Sequence, residues 1–299
     1  MISSLVAPGM PVIVQGLTGR TGRAQTSQML QYGTKIVGGV SQRDENVEGV
    51  PLFRNCADAV AATKAQASVI IVPPLSVLPS IREAVDAGIG LIVSITEGMP
   101  IHDALTARAI VRKAGAHWIG PSTPGLAIPG KIKLGFLPSV SLAPGSLGVM
   151  SKSGTLSYEV CHRLASRGLG QSLWVGVGGD PVKGTRFADL LPVFDGDPGT
   201  EAIVVVGEIG GNEEEELARR IRETGFAKPV FALVAGRNAR EGVTMGHAGA
   251  LIRDSGGTIE SKVAALRAAG VQVFSRIEEL AIAIADSVAT NAKLAHCIG

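Results

Sequence analysis

The sequence predicts an α/β protein built from two parallel sheets, and two observations support this prediction. Short runs of β-branched and other apolar residues alternate with helical segments along the chain, which is typical of parallel strands joined by crossover helices. The chain has 299 residues, of which 39 are glycine and 18% are charged, a composition that suits a folded protein with many tight turns. This length is enough for two domains, each with its own core.

The first half is predicted to form one sheet. Its predicted strands are Val12–Val14, Lys35–Val40, Ser68–Val72, Leu91–Ile95 and Trp118–Ile119. Helices are predicted between them, among others at Val77–Ala87 and Ile101–Lys113. A segment rich in proline and glycine, from Pro121 to Pro144, interrupts this alternation. We therefore predict a first domain over 1–125 and a linker over 126–145.

The alternation then restarts and predicts a second domain over 146–299. Its predicted strands are Leu147–Met150, Leu173–Val177, Ala202–Val206, Val230–Val234 and Val271–Phe274. Its predicted helices are Thr155–Ser166, Glu213–Glu223, Ile259–Ala269 and Ile277–Ala289. The acidic run Glu213–Glu216 is expected on the solvated side of a first helical turn, where negative charge suits the helix dipole.

Charge and hydropathy exclude several classes of partner. The net charge of +2 is spread over both halves, which gives no support for nucleic-acid binding. The first ten residues carry no charge, unlike a signal peptide, and the longest apolar runs are too short to span a bilayer. We expect a cytoplasmic protein without a membrane partner. The cysteines, Cys56, Cys161 and Cys297, lack paired ligand spacing, so no metal site is predicted.

A glycine-spaced turn follows the first predicted strand, with Gly16, Gly19 and Gly22 before a helix. Backbone N–H groups at a helix start bind phosphate groups well. The spacing is Gly-x-x-Gly-x-x-Gly, not the Gly-x-Gly-x-x-Gly of nicotinamide enzymes. The second strand is followed by Arg43 instead of an acidic residue, which suits a phosphorylated ribose, as in coenzyme A or NADP. A glycine turn without a ligand is the alternative.

The segment Ser151-Lys152-Ser153-Gly154-Thr155 opens a helix after the first strand of the second half. Its hydroxyls, its lysine and its exposed amides predict a second anion site. A helix cap alone would need only one of these hydroxyls. The segment lacks the pattern of a nucleoside-triphosphate loop, so we expect it to bind a phosphoryl group or a carboxylate.

His247 lies between Gly246 and Ala248-Gly249, small residues that allow a reactant to approach the imidazole. Such a histidine is a candidate nucleophile, and the alternative is a hydrogen-bonded structural histidine. Glu208 follows a buried strand at the edge where ligands collect in parallel sheets, and it can orient an imidazole. The alternative for Glu208 is a helix-capping or ion-pairing carboxylate.

Taken in chain order, these motifs resemble the alpha subunit of succinyl-CoA synthetase (succinate:CoA ligase) over nearly the whole chain. The resemblance is carried by residues 15–19, 32–40, 95–100, 151–159, 177–181, 207–211 and 245–250. It implies a Rossmann-like CoA-binding domain followed by a flavodoxin-like ligase domain. It also implies a hetero-oligomer with a beta subunit, which would hold ATP or GTP with magnesium.

The resemblance implies a role for each candidate residue. His247 would be phosphorylated, with Glu208 orienting it, and would pass the phosphoryl group to a dicarboxylic acid; the CoA thiol would then attack the acyl phosphate. The residues expected to bind CoA are Thr18, Gly19, Arg20, Thr21, Arg43, Thr96, Glu97 and Gly98. The phosphoryl group is assigned to Ser151, Ser153, Gly154 and Thr155, and the acid to Tyr158, Ser122 and Thr123.

The chain departs from the family pattern at two places. After the second strand the family has a lysine in a glycine-rich loop, where this shorter loop has Arg43-Asp44. The family pattern Gly-Pro-Asn-Cys-Pro-Gly is here Gly-Pro-Ser-Thr-Pro-Gly, with Ser122 and Thr123. Malate or citrate therefore stays an alternative substrate. An NADP-dependent oxidoreductase and a non-catalytic CoA-binding regulatory subunit are the alternative functions.

Overall fold

A computed structural model describes residues 4–43, 45, 47–237, 246–252 and 257–298, with side chains described up to residue 288. The described residues form two compact units. The first consists of the chain through Leu137 together with Val175–Arg186, and the second of Pro138–Trp174 and the chain from Phe187 onward. Within the first unit, Gly184 N donates to Gly120 O (2.9 Å). Such a return of the chain to an earlier unit has no signature in the order of predicted elements.

The first unit contains a parallel sheet with strand order β3-β2-β1-β4-β5-β6. Its strands are β1 (Val12–Gln15), β2 (Ile36–Val40), β3 (Leu52–Phe53), β4 (Ala67–Ile70), β5 (Leu91–Ser94) and β6 (His117–Ile119). Its helices are α1 (Arg20–Gln31), α2 (Cys56–Thr63), α3 (Val77–Asp86) and α4 (Ile101–Ala114). This is the strand order of a Rossmann fold, with the reversal between β1 and β4, so the predicted fold of the first half is confirmed.

Apolar strand residues form the core of this unit. Ile13, Ile70 and Ile92, from three neighbouring strands, are fully buried, and Trp118 of β6 is 1% exposed. The indole N–H of Trp118 donates to Ser94 Oγ (2.7 Å), so this large side chain is buried without an unsatisfied donor. The sheet is apolar on both sides, as expected for strands that helices cover on both faces.

The segment 126–145, predicted as a linker, contains regular structure. Strands β7 (Gly125–Ile128) and β8 (Ile132–Gly135) form an antiparallel hairpin. Thr34 Oγ1 donates to Lys133 O (2.7 Å) and accepts from Lys133 N (3.1 Å). The glycines that suggested a linker instead serve the hairpin, because Gly125 and Gly135 approach each other with backbone angles that favour glycine.

The second unit contains strands in the order β13-β12-β11-β9-β10. They are β9 (Pro144–Ser151), β10 (Gln171–Gly176), β11 (Ala202–Glu208), β12 (Val230–Ala235) and β13 (Gln272–Phe274). The helices are α5 (Gly154–Ala165), α6 (Phe187–Asp195), α7 (Glu213–Thr224), α8 (Ile259–Ala268) and α9 (Ile277–Ile298). Counted from β9, this is the flavodoxin-like order 2-1-3-4-5, which confirms the fold predicted for the second half.

Besides the hairpin of β7 and β8, the strand β3 and the helices α2 and α6 were not predicted from the sequence, and each has a physical reason. Strand β3 has only two residues, too few to show a period. Helix α2 is short and rich in alanine, and its start depends on a cap in which Asn55 accepts from Asp58 N (2.8 Å). Helix α6 contains Pro192, a residue that sequence rules place at a helix end.

Candidate functional site

The predicted glycine turn connects β1 to α1 in the first unit. Gly16 has φ +85°, and a Cβ there would lie 2.2 Å from Ile71 O. A Cβ on Gly22 would lie 2.1 Å from Gly16 O, so helix α1 sits directly against the turn. Both positions therefore require glycine, and the helix start at Gly19 and Arg20 is exposed. This arrangement presents amide N–H groups to an anion.

The residues predicted to bind CoA lie on neighbouring loops at the carboxyl edge of this sheet. Thr18, after β1, and Ser41, after β2, are joined by a hydroxyl hydrogen bond of 2.8 Å. Thr96, after β5, donates to Val72 O after β4 (2.6 Å). These loops flank the reversal of strand order between β1 and β4, the place where open α/β sheets bind ligands.

The positive charge expected after β2 is largely exposed. The Arg43 side chain is 71% exposed, and its Nη1 lies 4.0 Å from Glu45 Oε1. Arg23 also pairs with Glu45, and Arg23 Nε donates to Thr18 O (3.0 Å). Arg23 and Arg43 thus supply positive charge beside the loops after β1 and β2, and both lie near the Glu45 carboxylate.

The loop predicted to contact the acid is adjacent to the loop after β5. Ser122 N donates to Thr96 O (3.0 Å), and Ser122 has φ +56°, in the left-handed region. The Thr123 hydroxyl donates to Gly176 O and accepts from Gly125 N (2.9 Å). Since Thr123 is 3% exposed and its hydrogen is used inside the loop, only Ser122 of this pair offers a hydroxyl to a ligand.

The second unit holds the predicted histidine and glutamate in direct contact. His247 Nδ1 lies 2.7 Å from Glu208 Oε2. The side chain of His247 is 24% exposed and that of Glu208 is 8% exposed. A carboxylate beside Nδ1 accepts a hydrogen bond from the protonated nitrogen, which selects the tautomer in which Nε2 carries the lone pair. The pair therefore forms an oriented imidazole that solvent can reach.

A glycine turn after β11 supports this contact. Gly210 has φ +84°, and a Cβ there would lie 2.1 Å from Gly249 O, two residues beyond His247. Gly210 N donates to Gly257 O (2.8 Å), and Ala250 N donates to His247 O (3.0 Å). The segment that carries His247 thus lies directly on the turn that follows Glu208.

The hydroxyls of the segment before α5 are used within that segment. Ser153 is the N-cap of α5 and accepts from Leu156 N (3.3 Å). Ser151 Oγ donates to Ser153 O (2.7 Å) and accepts from Ser153 N (3.1 Å). The capacity of this helix start to hold an anion therefore rests on the amides of its first turn, beginning at Gly154 and Thr155.

Lys152 does not face the predicted anion site. Its ammonium is buried and donates to Glu214 Oε2 (3.0 Å). The prediction of a solvated acidic face at Glu213–Glu216 is wrong for two of its members, because Glu213 is 4% and Glu214 is 0% exposed. Both errors have one cause: a partner charge far away in the sequence makes burial possible, and periodicity does not reveal such a partner.

Tyr158 lies on helix α5, half-buried, with its ring edge toward Trp174 at a centroid distance of 5.8 Å and an interplanar angle of 69°. Burial raises the pKa of its phenol, so the hydroxyl keeps its proton at neutral pH. The main-chain oxygen of Tyr158 accepts from Ser141 Oγ (3.0 Å). Tyr158 belongs to the second unit, with His247 and Glu208, whereas Ser122 and Thr123 belong to the first.

Two cysteines are buried free thiols. Burial and, to a smaller extent, the charge of Glu83 raise the pKa of Cys56 to about 12, and burial raises the pKa of Cys161 even further. Both thiols are therefore poor nucleophiles at neutral pH. The described part of the chain has no group of His, Cys, Asp and Glu side chains that could hold a metal ion. None of its helices is long and apolar enough to cross a membrane.

Two protein-family models match the chain, and their ranges agree with the two folds described above. A model described as a CoA binding domain matches residues 10–98, and one described as CoA-ligase matches residues 150–272. These matches place the chain in the class of CoA ligases.

Proteins with similar sequences identify the family within this class. The succinate–CoA ligase (ADP-forming) subunit alpha 2 of Archaeoglobus fulgidus is 48% identical over 277 residues, 92% of this chain and 96% of that protein. The corresponding alpha subunit of Aquifex aeolicus is 44% identical over 90% of both chains. The chain belongs to the family of succinate–CoA ligase alpha subunits.

Solved structures support the fold. The ATP citrate lyase of Methanosaeta concilii superimposes with a TM-score of 0.88 at 24% identity, over 98% of this chain and 52% of that one. The dinucleotide-forming acetyl-coenzyme A synthetase 1 of Ca. Korarchaeum cryptofilum gives a TM-score of 0.75 at 22% identity, over 92% of this chain and 60% of that one. At these identities the likeness concerns the fold alone.

Proposed function

We propose that this chain is the alpha subunit of an ADP-forming ligase that joins succinate to coenzyme A through a phosphohistidine at His247. The observation that carries the proposal is the 2.7 Å contact between His247 Nδ1 and Glu208 Oε2. The membership in the succinate–CoA ligase alpha family supports it. A regulatory subunit that only binds CoA would have no use for an oriented, solvent-accessible imidazole.

The contact with Glu208 determines which ring nitrogen reacts. Nδ1–H donates to the carboxylate, so Nε2 keeps its lone pair and is the nucleophile. Attack of Nε2 on the terminal phosphorus of the nucleotide forms an N–P bond and breaks a P–O bond, releasing the nucleoside diphosphate. The ring gains positive charge in this step, and the adjacent Glu208 carboxylate stabilises that charge.

Two further transfers complete the reaction. A carboxylate oxygen of the acid attacks the phosphorus, the N–P bond breaks, and the electron pair returns to Nε2 of His247. The CoA thiolate then attacks the carbonyl carbon of the acyl phosphate, a thioester C–S bond forms, and inorganic phosphate leaves. The phosphoryl group makes the carboxylate oxygen a leaving group, which a thiol could not displace otherwise.

The chain's own residues are assigned to the substrates as follows. CoA binds with its phosphates and pantetheine arm against three features of the first unit: Thr18, the helix start from Gly19 to Thr21, and the loop from Thr96 to Gly98. Arg43 supplies positive charge. The amides of the first turn of α5, beginning at Gly154 and Thr155, bind the phosphoryl group on His247. Within the second unit, Tyr158 is assigned to the acid; within the first unit, Ser122 is the residue whose hydroxyl is a candidate for selecting it.

We assign the nucleotide and its magnesium ion to a beta subunit. The phosphate-binding turns of this chain lack the Gly-x-x-x-x-Gly-Lys-Ser/Thr pattern of a triphosphate loop. The alignment with a relative that is named as one subunit covers 92% of this chain and 96% of that relative. The purified chain is therefore inactive with ATP, acid and CoA until its partner is added.

A labelling experiment tests this proposal. The chain, co-purified with its beta subunit, is incubated with ATP labelled at the γ-phosphate, and base-stable, acid-labile label is mapped by peptide. We expect label on the peptide that contains His247 and none in His247→Asn. His117→Asn, a change at an exposed histidine of β6, is the matched control and keeps the label. Label in His247→Asn, or full turnover by the chain alone, contradicts the proposal.

A further inference from the structure

A buried cluster of charges lies beneath the turn that follows Glu208. Its centre is Glu214, in the first turn of α7, whose side chain is completely buried. The ammonium groups of Lys152, after β9, and Lys262, in α8, both contact the Glu214 carboxylate. Three segments separated by tens of residues therefore converge on one carboxylate.

Both oxygens of Glu214 are engaged. Oε1 accepts from Glu208 N (3.1 Å) and lies 2.8 Å from Lys152 Nζ. Oε2 accepts from Lys152 Nζ (3.0 Å) and Lys262 Nζ (2.5 Å). Burial alone would raise the pKa of Glu214, but Lys152 and Lys262 outweigh this effect and lower the pKa to about 2. Glu214 is therefore ionised at neutral pH.

The two lysines also hold the turn itself. Lys152 Nζ lies 3.5 Å from Gly210 O, and Lys262 Nζ donates to Gly211 O (3.0 Å). Together with the bond from Glu208 N to Glu214, these contacts fix residues 208–211 from below. The opposite side of the turn lies against the backbone at Gly249, in the segment that carries His247.

One hydrogen bond connects the cluster to the main chain of Glu208. The N–H that Glu214 accepts is bonded to the Cα that carries the Glu208 side chain, so a shift of Glu214 moves the origin of that side chain. The carboxylate of Glu208 lies 2.7 Å from His247 Nδ1, a distance at which displacement of less than 1 Å breaks the hydrogen bond. Burying two ammonium groups and a carboxylate is also costly unless their geometry is held closely.

We infer that Glu214 is a positioning residue for phosphoryl transfer: with Lys152 and Lys262 it fixes the turn after β11 so that Glu208 stays in contact with His247. This inference rests on the proposed function of His247. Glu214 touches neither substrate nor the reacting nitrogen, so its effect passes through Glu208. Its loss should therefore matter only while Glu208 can act as a carboxylate partner of the imidazole.

A double-mutant cycle tests the inference. Glu214→Asp keeps the charge but withdraws the carboxylate by one methylene from the Glu208 N–H. In the complex with the beta subunit, we expect this change to slow single-turnover labelling of His247 by about 10- to 100-fold, with the KM for CoA unchanged. In the Glu208→Gln background the same change should slow labelling less than about twofold, because the contact it protects is already weakened.

Glu223→Asp is the matched control. Glu223 lies in the same helix α7 and pairs with Arg219 at the surface, so this variant should label at the wild-type rate. A second variant, Glu214→Gln combined with Lys262→Met, removes one charge of each sign and should show the same dependence on Glu208.

Each outcome decides the matter. The inference is overturned if Glu214→Asp labels at the wild-type rate, or if the change slows labelling equally in the wild-type and Glu208→Gln backgrounds. It is also overturned if both Glu214 variants fail to fold, because Glu214 would then have a purely structural role. The absence of label in the wild-type complex overturns the proposed function, and this inference with it. Label in the wild type with additive effects overturns the inference alone.

Discussion

The two units place their functional groups by different means. In the first unit the candidate CoA site is made largely of backbone: a glycine turn, a helix start and loops at the sheet edge, joined by the hydroxyls of Thr18 and Thr96. In the second unit the site is made of side chains, with His247 against Glu208 and a buried charge cluster underneath. A site made of backbone depends on where glycines let a ligand or another segment approach the main chain. A site made of side chains depends on residues that only the folded chain brings together.

This difference predicts different kinds of fragility. The side-chain site should lose its chemistry on replacement of a single functional group while the fold persists. The backbone site should tolerate most side-chain changes and fail where a Cβ is added at a position of close approach.

The largest effect is expected at the imidazole. His247→Asn should lower kcat of the complex by about 10⁴-fold or more, because removal of a nucleophile abolishes the covalent route. Glu208→Gln should lower kcat by about 10- to 100-fold, since it removes the group that orients and stabilises the ring. Steady-state assays with thermal unfolding as a fold control measure both. Equal losses in the two variants would show that Glu208 does more than orient His247.

The next effect tests the backbone site. Gly22→Ala should destabilise the first unit by about 3 kcal/mol or more, since its Cβ would lie 2.1 Å from Gly16 O, a backbone atom. Gly19→Ala is the matched control: its Cβ would lie 3.4 Å from Gly16 O, and Gly19 has φ −69°. Urea unfolding compares the two. Similar stability of both variants would mean that helix α1 moves away from the turn at little cost.

The sequence predicted these two sites to different extents. Most of the strands, both sheet types and the glycine turn follow from local patterns, because the spacing of apolar residues and glycines fixes them within one segment. His247 and Glu208 were each candidates from their sequence context, the family resemblance paired them, and the structure places the two side chains in contact. The roles of Lys152 and Glu214 were missed, because positions 152, 214 and 262 come together only in the folded unit.

A third prediction concerns the pH dependence of this buried cluster. The pKa of Glu214 is lowered from 4.5 to about 2 in the folded chain, so its contribution is fully present above pH 4.5 and is lost as the pH falls toward 2. We expect this contribution to be about 2 to 3 kcal/mol. The pKa of Lys152 is raised because Glu214 and Glu213 outweigh the effect of burial. The contribution of Lys152 is therefore present below pH 10.5 and is lost as the pH rises above it.

Urea unfolding between pH 2.5 and 6 measures how much of the Glu214 contribution is lost at acidic pH. The difference in unfolding free energy between the wild type and Glu214→Gln/Lys262→Met should shrink as the pH falls from 4.5. Glu223→Gln, which alters an exposed pair on the same helix, should follow the wild type at every pH. A difference that stays constant below pH 4.5 would show that ionised Glu214 contributes no stability.

The smallest effect is expected in the first unit, at Ser122. Its φ of +56° is a conformation that asparagine adopts more readily than serine, so Ser122→Asn should stabilise the first unit by about 0.5 to 1 kcal/mol. Ser122→Ala keeps the strained backbone and removes only the hydroxyl, which separates conformational strain from ligand contact. If the Ser122 hydroxyl accommodates a hydroxylated acid, both variants should lower kcat/KM for malate and citrate relative to succinate, and only Ser122→Asn should raise the unfolding temperature. Unchanged ratios in both variants would show that the acid is selected elsewhere, which is consistent with a Thr123 hydroxyl already bound to Gly176 O.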